Sequence, residues 1–147
     1  MRQVDAETPQ ARAILAFMTA AEATEAGDRE AAGAQLNAVA VDGELPEIYR
    51  QIAAFKALTI QAATLPVAER RQQLEALAQP GSPLRLLAEE QLALIDIEEG
   101  NAESAITRYQ SILVDAEVTS DLQQRALQVI VSLGGTPNVE NLPEAVN

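Results

Sequence analysis

The side chains best suited to acid–base chemistry in this chain are its carboxylates, and their spacing argues against a catalytic pair. Glu89 and Glu90 are adjacent in the sequence, and so are Glu98 and Glu99. Neighbouring side chains on a helix point about 100° apart, so the two carboxyl groups of such a pair cannot share a proton. We therefore predict that these four residues lie on a solvated helix surface.

Nucleophilic and metal-assisted catalysis lack the side chains that would support them. The 147 residues include no histidine and no cysteine, and Lys56 is the only lysine. A serine or threonine hydroxyl becomes a nucleophile when an adjacent base takes its proton. The acidic pairs Asp28/Glu30 and Asp42/Glu44 lack the spacing and the glycine of a calcium-binding loop. The sequence predicts a protein that is not an enzyme and that has neither a cofactor nor a metal ion.

The charge balance bears on the class of partner. The chain has 22 acidic and 10 basic residues, which gives a formal net charge of −12. Nucleic acid and anionic membrane surfaces are bound mainly through Lys and Arg, so we expect neither as a ligand. The best apolar run, residues 13–21, has half the roughly 18 residues that a membrane span needs. We expect a protein or peptide partner and no direct membrane insertion by this chain.

The elements that would position these side chains recur along the chain. Residues 20–53 align without a gap with residues 93–126, at an offset of 73, and ten of the 34 positions are identical. The matches include a glycine turn at Gly27 and Gly100 and a Val-Asp-x-Glu run in each segment. Shared alanine content alone does not produce both of these features. An internal repeat of this length is typical of helical repeat proteins.

Helix-start signals reveal a shorter period within that repeat. Pro9, Pro46 and Pro83 are 37 residues apart, and the capping sequence at Thr119 follows after 36 more. Proline fits the first turn of a helix because its missing N–H would be unpaired there. The predicted helices cover about residues 9–26, 28–41, 46–63, 66–79, 83–99, 101–115 and 119–133. They form units at 9–45, 46–82 and 83–118 with a closing helix at 119–133, between an N-terminal extension (1–8) and a disordered tail (135–147).

The stretch GNAESAITRYQSIL resembles a tetratricopeptide repeat, a pair of helices with small and aromatic residues at fixed positions. In that register Gly100 ends the first helix, Ala105 is the small residue at the helix crossing and Tyr109 is the aromatic one. Asp96 stands where the family usually has an aromatic residue. The resemblance covers residues 9–134. It implies an all-α fold, a right-handed α-solenoid of three helix pairs and a C-terminal closing helix.

The stretch PGSPLRLLAEEQLALIDIEEGN is similar to proteobacterial proteins related to the ancillary subunit of the SecYEG translocon. The matching residues are Gly81, Ser82, Pro83, Leu84, Ala88, Glu90, Ala93, Leu94, Gly100 and Asn101. This resemblance implies a periplasmic repeat domain at the bacterial inner membrane, with a membrane anchor that this chain lacks, and a role in protein translocation or chaperoning. Without the resemblance, a cytoplasmic location is the alternative.

In tetratricopeptide arrays the first helices of the pairs line a concave face that binds proteins. The resemblance, carried over position by position, implies a binding groove of eight residues: Phe17, Glu25, Gln51, Leu58, Gln61, Glu90, Leu94 and Glu98. Its apolar and acidic side chains suit an apolar segment that bears basic residues. The function implied is a non-catalytic protein–protein interaction scaffold, whose partners are translocon components, chaperones or unfolded segments.

The alternative function is a structural or oligomerisation module. The last predicted helix carries apolar residues on much of its surface, and the end of a repeat array needs a polar face to stay soluble. These apolar residues are Leu122, Ala126, Leu127, Ile130 and Val131. An exposed helix of this kind would pair with a second copy of the chain to form a homodimer.

Overall fold

The structure is a computed structural model that describes residues 8–147, and this part of the chain is built of helices. The seven helices are α1 (Pro9–Glu25), α2 (Arg29–Ala40), α3 (Glu47–Ile60), α4 (Val67–Leu77), α5 (Arg85–Glu98), α6 (Ala102–Leu113) and α7 (Ser120–Ser132). Among the described residues, β pairing is limited to an isolated bridge between Thr119 and Val146. The predicted all-α class is confirmed. The arrangement of the helix pairs as a right-handed solenoid stays a prediction.

The chain divides into two compact units, Met1–Gln73 and Leu74–Asn147, with the boundary inside α4. In unit 1, helix α2 packs against both α1 and α3. In unit 2, helix α6 packs against both α5 and α7 in the same way. The compact units thus follow the 73-residue offset, whereas the sequence divides the chain at the shorter period of 36–37 residues.

The 73-residue offset is visible in local geometry as well as in sequence. Helices α2 and α6 begin and end at equivalent positions. Gly27 and Gly100, in the preceding turns, have φ angles of +82° and +77°, a left-handed conformation that a residue with a Cβ rarely adopts. The side chains of Asp28 and Asn101 then accept the N–H three residues further on, at 2.9 and 3.3 Å. These caps satisfy backbone donors that the first helical turn leaves unpaired.

Each unit also contains an arginine that binds the acidic turn after its second helix. In unit 1, Nη2 of Arg12 lies 3.7 and 2.5 Å from the two carboxylates of the turn at residues 42–44. In unit 2, Arg85 lies 2.9 Å from Asp115 and 2.7 Å from Glu117. Arg12 and Arg85 are separated by the same offset of 73 residues. The first and second helices of both units are therefore tied together by equivalent ion pairs.

Each unit has its own hydrophobic core, and the two cores differ in side-chain size. Unit 1 buries Ala13, Ala20, Ala32, Leu36, Val39, Leu45, Ala53 and Ala57 in one cluster. Unit 2 buries Ala93, Tyr109, Ile112, Leu113, Val118, Leu122, Ala126 and Ile130. Five of the eight residues are alanine in unit 1, compared with two of eight in unit 2. The equivalent helices of the two units thus pack around mostly small side chains in unit 1 and mostly large side chains in unit 2.

Residues 135–147, for which the sequence predicts disorder, lie against unit 2 in the structure. The N–H of Val146 donates to the carbonyl of Val118 at 2.8 Å, and its carbonyl accepts the N–H of Ser120 at 3.3 Å. Leu142 packs against the core cluster of the unit. The prediction relied on the prolines and the low apolar content of the tail. These local features do not reveal that the turn before α7 supplies backbone partners to a segment more than 20 residues away.

Candidate functional site

Unit 1 contains an apolar cavity of about 340 Å³ between helices α1, α2 and α3. It is lined by Phe17, Ala20, Ala21, Thr24, Glu25, Leu36, Lys56 and Ile60. Helix α1 forms one wall, α3 forms the opposite wall, and the buried Leu36 of α2 lies at the base. This volume is at the small end of the range for ligand-binding cavities, and it suits one or two apolar side chains.

The wall contributed by α1 follows from helical spacing. Phe17, Ala20, Ala21 and Thr24 recur at intervals of three and four residues, which places them on one face of the helix. The small side chains of Ala20 and Ala21 leave the space that the cavity occupies. The hydroxyl of Thr24 donates to the carbonyl of Ala20 at 2.7 Å, so its hydrogen is used within the helix. The wall therefore offers mainly apolar contact.

Two charged residues of opposite sign line the same cavity. Glu25 is the last residue of α1, and Lys56 lies near the end of α3. Both side chains are exposed to solvent. An apolar interior bordered by a carboxylate and an ammonium group can bind an apolar side chain and also contact polar groups on either side of it.

The structure places the predicted groove residues of unit 1 in different environments. Phe17 and Glu25 line the cavity, as a groove on the first helix requires. Leu58 is 4% exposed and belongs to the core, so it offers no contact surface. Gln61 lies beyond the end of α3, and its side chain covers Gly33 of α2, where it would collide with an added Cβ. Two of the five predicted groove residues in this unit are thus brought together at the cavity.

The remaining predicted groove residues also differ in their surroundings. Gln51 is half-buried on α3 and donates to a glutamate one turn earlier, at 2.8 Å. Glu90 is 9% exposed and binds Arg125 of α7 through two hydrogen bonds of 2.9 and 3.0 Å. Leu94 and Glu98 are exposed on α5. Glu90 therefore joins two helices of unit 2, a role that its position on the predicted groove did not indicate.

The predicted groove does not include Lys56 and Ile60, which form the α3 side of the cavity. It includes Gln51, Leu58 and Gln61 instead, at positions carried over from the resemblance. The alanines at 53 and 57, spaced by four, mark the buried face of this helix in the sequence. Counting from that alanine pair would have placed Lys56 and Ile60 beside it.

Two positions of unit 2 that are equivalent to apolar positions of the cavity carry polar side chains. Glu90 stands 73 residues after Phe17, and Tyr109 stands 73 residues after Leu36. Tyr109 is buried, and burial, together with the nearby charge of Glu90, raises the pKa of its hydroxyl to about 12. The hydrogen bonds from Arg125 to Glu90 also raise the pKa of the guanidinium. At two of the eight cavity positions, unit 2 therefore has a polar side chain where unit 1 has an apolar one.

A second cleft, of about 400 Å³, lies between α5 and α6. Its lining residues are Arg85, Leu86, Glu89, Ser104, Thr107, Arg108, Ser111, Ile112 and Asp115. Arg108 is held by Glu89 at 2.6 Å and by the buried Asp96 at 3.1 Å, and Arg85 is held by Asp115. Two of its hydroxyls donate to carbonyls of α6 itself. The charged side chains of this cleft are paired with one another. They are therefore less available to bind a ligand than the side chains that line the cavity of unit 1.

The predicted self-association surface on α7 is largely used inside unit 2. Leu122, Ala126 and Ile130 are buried in the core cluster, and Leu127 packs against it. Val131 is 60% exposed. The helix thus turns most of its apolar residues towards α6 and the tail rather than towards solvent.

Within residues 8–147, no group of three or more acidic, histidine or cysteine side chains is placed to hold a metal ion. None of the helices of this part of the chain has both the length and the apolar character needed to cross a membrane. Comparison of the chain with protein-family models, with curated proteins and with solved structures finds no match. The function is therefore argued from the cavity and its surroundings.

Proposed function

We propose that the chain is a non-catalytic protein-binding module whose unit 1 cavity takes an apolar side chain from an extended segment of a partner. The observation that carries this proposal is the cavity between α1, α2 and α3. Removing a Leu or Phe side chain from water contributes roughly 1.5–3 kcal/mol, enough to anchor one residue of a flexible segment. Glu25 favours a basic residue next to that anchor, and Lys56 favours a carbonyl or carboxylate on its other side.

The proposed framework is a tetratricopeptide-like, right-handed α-solenoid of three helix pairs and a closing helix. Its support is the succession of seven helices and the recurrence of the capped glycine turn at Gly27 and Gly100. Stacked helix pairs build extended surfaces on which first helices can contact a partner chain. In this framework α1 and α3 are first helices of neighbouring pairs, and the cavity lies between them.

The proposed setting is the periplasmic side of a bacterial inner membrane, with the module held there by a membrane anchor. The similarity of the stretch at residues 80–101 to proteins related to the ancillary translocon subunit supports this setting. The partners that fit are unfolded segments, chaperones or translocon components, each of which can offer an apolar residue beside a basic one. The module would hold such a segment during translocation or folding.

The experiment fills the cavity without disturbing the fold. Ala21 is exposed at the cavity. Unit 2 has Leu94 at the equivalent position, so the equivalent helix of unit 1 should accommodate the substitution Ala21→Leu. We expect Ala21→Leu to weaken binding of a labelled, unstructured peptide with one Leu between two Arg residues by about 10-fold or more, measured by fluorescence anisotropy. Ala34→Leu makes the same change at an exposed position of α2 and is the matched control.

Two further measurements sharpen the result. In a second peptide, Ser replaces Leu. We expect the wild type to bind this Ser peptide no more tightly than Ala21→Leu binds the Leu peptide. Photo-crosslinking from position 21 in the native membrane fraction, compared with position 34, identifies the partner. Equal affinity of the wild type and Ala21→Leu for the Leu peptide would show that the cavity is not the binding site.

A further inference from the structure

The tail, residues 135–147, is a non-helical segment that lies on helices α6 and α7 and is held there by its main chain. The side-chain amide of Gln110 in α6 donates to the carbonyl of Asn138 at 3.1 Å and accepts the N–H of the same residue at 3.2 Å. The amide of Gln123 in α7 donates to the carbonyl of Pro143 at 3.3 Å. Since backbone groups occur in every residue, contacts of this kind hold a segment without reading its side chains.

The turn before α7 provides a third point of main-chain contact. The N–H of Val146 donates to the carbonyl of Val118, and the N–H of Ser120 donates to the carbonyl of Val146. The second bond also satisfies an N–H that the first turn of α7 leaves without a helical partner. The four residues that hold the main chain of the tail are referred to as the tail-binding surface: Gln110, Val118, Ser120 and Gln123.

The side chains of the tail contribute little to its attachment. Leu142 is half-buried and packs against the core cluster of unit 2. Val139 and Val146 are 57% and 50% exposed. A segment that buries few apolar side chains and is held by exposed hydrogen bonds detaches at a low cost in free energy. The tail is therefore an occupant that a competing segment can replace.

The charge of the tail opposes its attachment. Residues 74–134 contain ten acidic and three basic residues, and the tail adds Glu140 and Glu144 without a base. The three bases are already held by carboxylates of unit 2: Arg85, Arg108 and Arg125. The acids of the tail, two positions before and after Leu142, are therefore repelled by the rest of the unit. A segment with basic residues at these two positions would be attracted instead.

We propose that the tail-binding surface is a second peptide site, which the tail occupies in the free chain and from which a partner segment displaces it. The segment that fits is non-helical, with an apolar residue in the place of Leu142 and basic residues two positions before and after it. At the position of Asn141, whose φ is +61°, it needs Asn or Gly. An occupant linked to its own site competes at high effective concentration, so the tail lowers the apparent affinity for the partner. The proposal concerns unit 2 and does not depend on the cavity of unit 1.

A reversible lock on the tail tests the proposal in the full chain. The hydroxyl of Ser120 donates to the side chain of Asn147 at 2.8 Å, and the chain has no cysteine. In Ser120→Cys with Asn147→Cys, oxidation ties the tail to its surface and reduction releases it. The probe is a labelled peptide of residues 135–147 with Glu140→Lys and Glu144→Lys. By fluorescence anisotropy, we expect the reduced protein to bind it about 10-fold or more tightly than the oxidised protein. Because the lock leaves unit 1 unchanged, this difference reports on unit 2 alone.

Two comparisons without cysteines complete the test. The peptide with its two glutamates retained should bind the reduced protein about 5-fold or more weakly than the lysine peptide, because its charge matches that of unit 2. Leu142→Ser loosens the tail and leaves the surface intact, so it should bind the lysine peptide about 5-fold more tightly than the wild type does. Val139→Ser, at an exposed position of the same tail, is the matched control and should bind like the wild type.

Hydrogen exchange measured by mass spectrometry reports the displacement itself. The amides of residues 138–146 should exchange faster when the lysine peptide saturates the protein, and circular dichroism verifies that each variant is folded. Equal affinity of the oxidised and reduced proteins, equal binding of the two peptides, unchanged affinity of Leu142→Ser, or tail amides that stay protected with peptide bound would each overturn the proposal.

Discussion

Arg85, the first residue of α5, holds the carboxylate of Asp115 by two hydrogen bonds of 2.9 and 3.0 Å. The pair connects the start of one helix to the turn that follows the next one, and both side chains are mostly shielded from solvent. The hydrogen bonds from Arg85 lower the pKa of Asp115, because they favour the ionised carboxylate. The pair therefore makes the stability of unit 2 dependent on pH.

The first prediction follows from the direction of that shift. The pKa of Asp115 is lower in the folded chain than its unfolded value of about 3.9. Its stabilising contribution is complete well above pH 4 and is lost as the pH falls through the lower, folded value. We expect Asp115→Asn to reduce the free energy of unfolding by about 1–2 kcal/mol at pH 7, and by progressively less below pH 4.

Urea unfolding followed by circular dichroism at pH 7, 5 and 3 measures this difference. Glu140→Gln, which neutralises an exposed carboxylate in the tail, is the control and should show a small difference at every pH. A difference between the wild type and Asp115→Asn that stays constant down to pH 3 would contradict the assignment.

The second prediction concerns the turn between α5 and α6. Gly100 has a φ of +77°, and a Cβ added there would meet no atom within 4 Å. The cost of Gly100→Ala is therefore conformational rather than steric, and we expect a loss of about 1–2 kcal/mol in the free energy of unfolding. Gly43 has equal space but no left-handed φ, so Gly43→Ala should be close to neutral. Similar denaturation midpoints for the two variants would refute this reading of the turn.

The third prediction uses unit 1 as a template for unit 2. Glu90 and Arg125 have Phe17 and Ile52 as their equivalents. Glu90→Phe alone leaves Arg125 without its partner and should cost about 1–3 kcal/mol. Adding Arg125→Ile removes the unpaired charge and should recover at least half of that loss, because an ion pair can often be replaced as a whole by apolar residues. A double-mutant cycle from urea unfolding gives the coupling, and additive losses would count against the idea.

The helices were predictable because their starts depend on short-range chemistry. Pro9, Thr119 and the glycine turns act within a few residues of where they stand, and each predicted helix is found in the structure. Some predicted helices extend beyond the ends observed in the structure. The third helix, for example, was expected to reach residue 63 and ends at Ile60.

The candidate site was less predictable because it depends on the direction of side chains around each helix. A phase error of one residue turns a side chain by about 100°, which exchanges a buried position for an exposed one. Leu58, expected in the groove, is buried, while Lys56, two residues earlier, lines the cavity. The ion pairs of unit 2 join residues up to 35 positions apart, but the sequence does contain a signal for them. Two alanines and a glutamine of unit 1 are replaced together by Glu89, Asp96 and Arg108 at the offset of 73.

Unit 2 has the Glu90–Arg125 ion pair where unit 1 has apolar residues. This difference also affects which helices pack together as the chain folds. Because the two units have equivalent helices, a folding chain can exchange them, so that α3 packs in the place of α7. Such an exchange would place Ile52 opposite Glu90 and leave a carboxylate buried without a partner. The reverse exchange would bring the guanidinium of Arg125 towards Phe17. Both crossed products lose the charge-assisted hydrogen bonds of the native pair, so this ion pair favours the arrangement in which each unit keeps its own third helix.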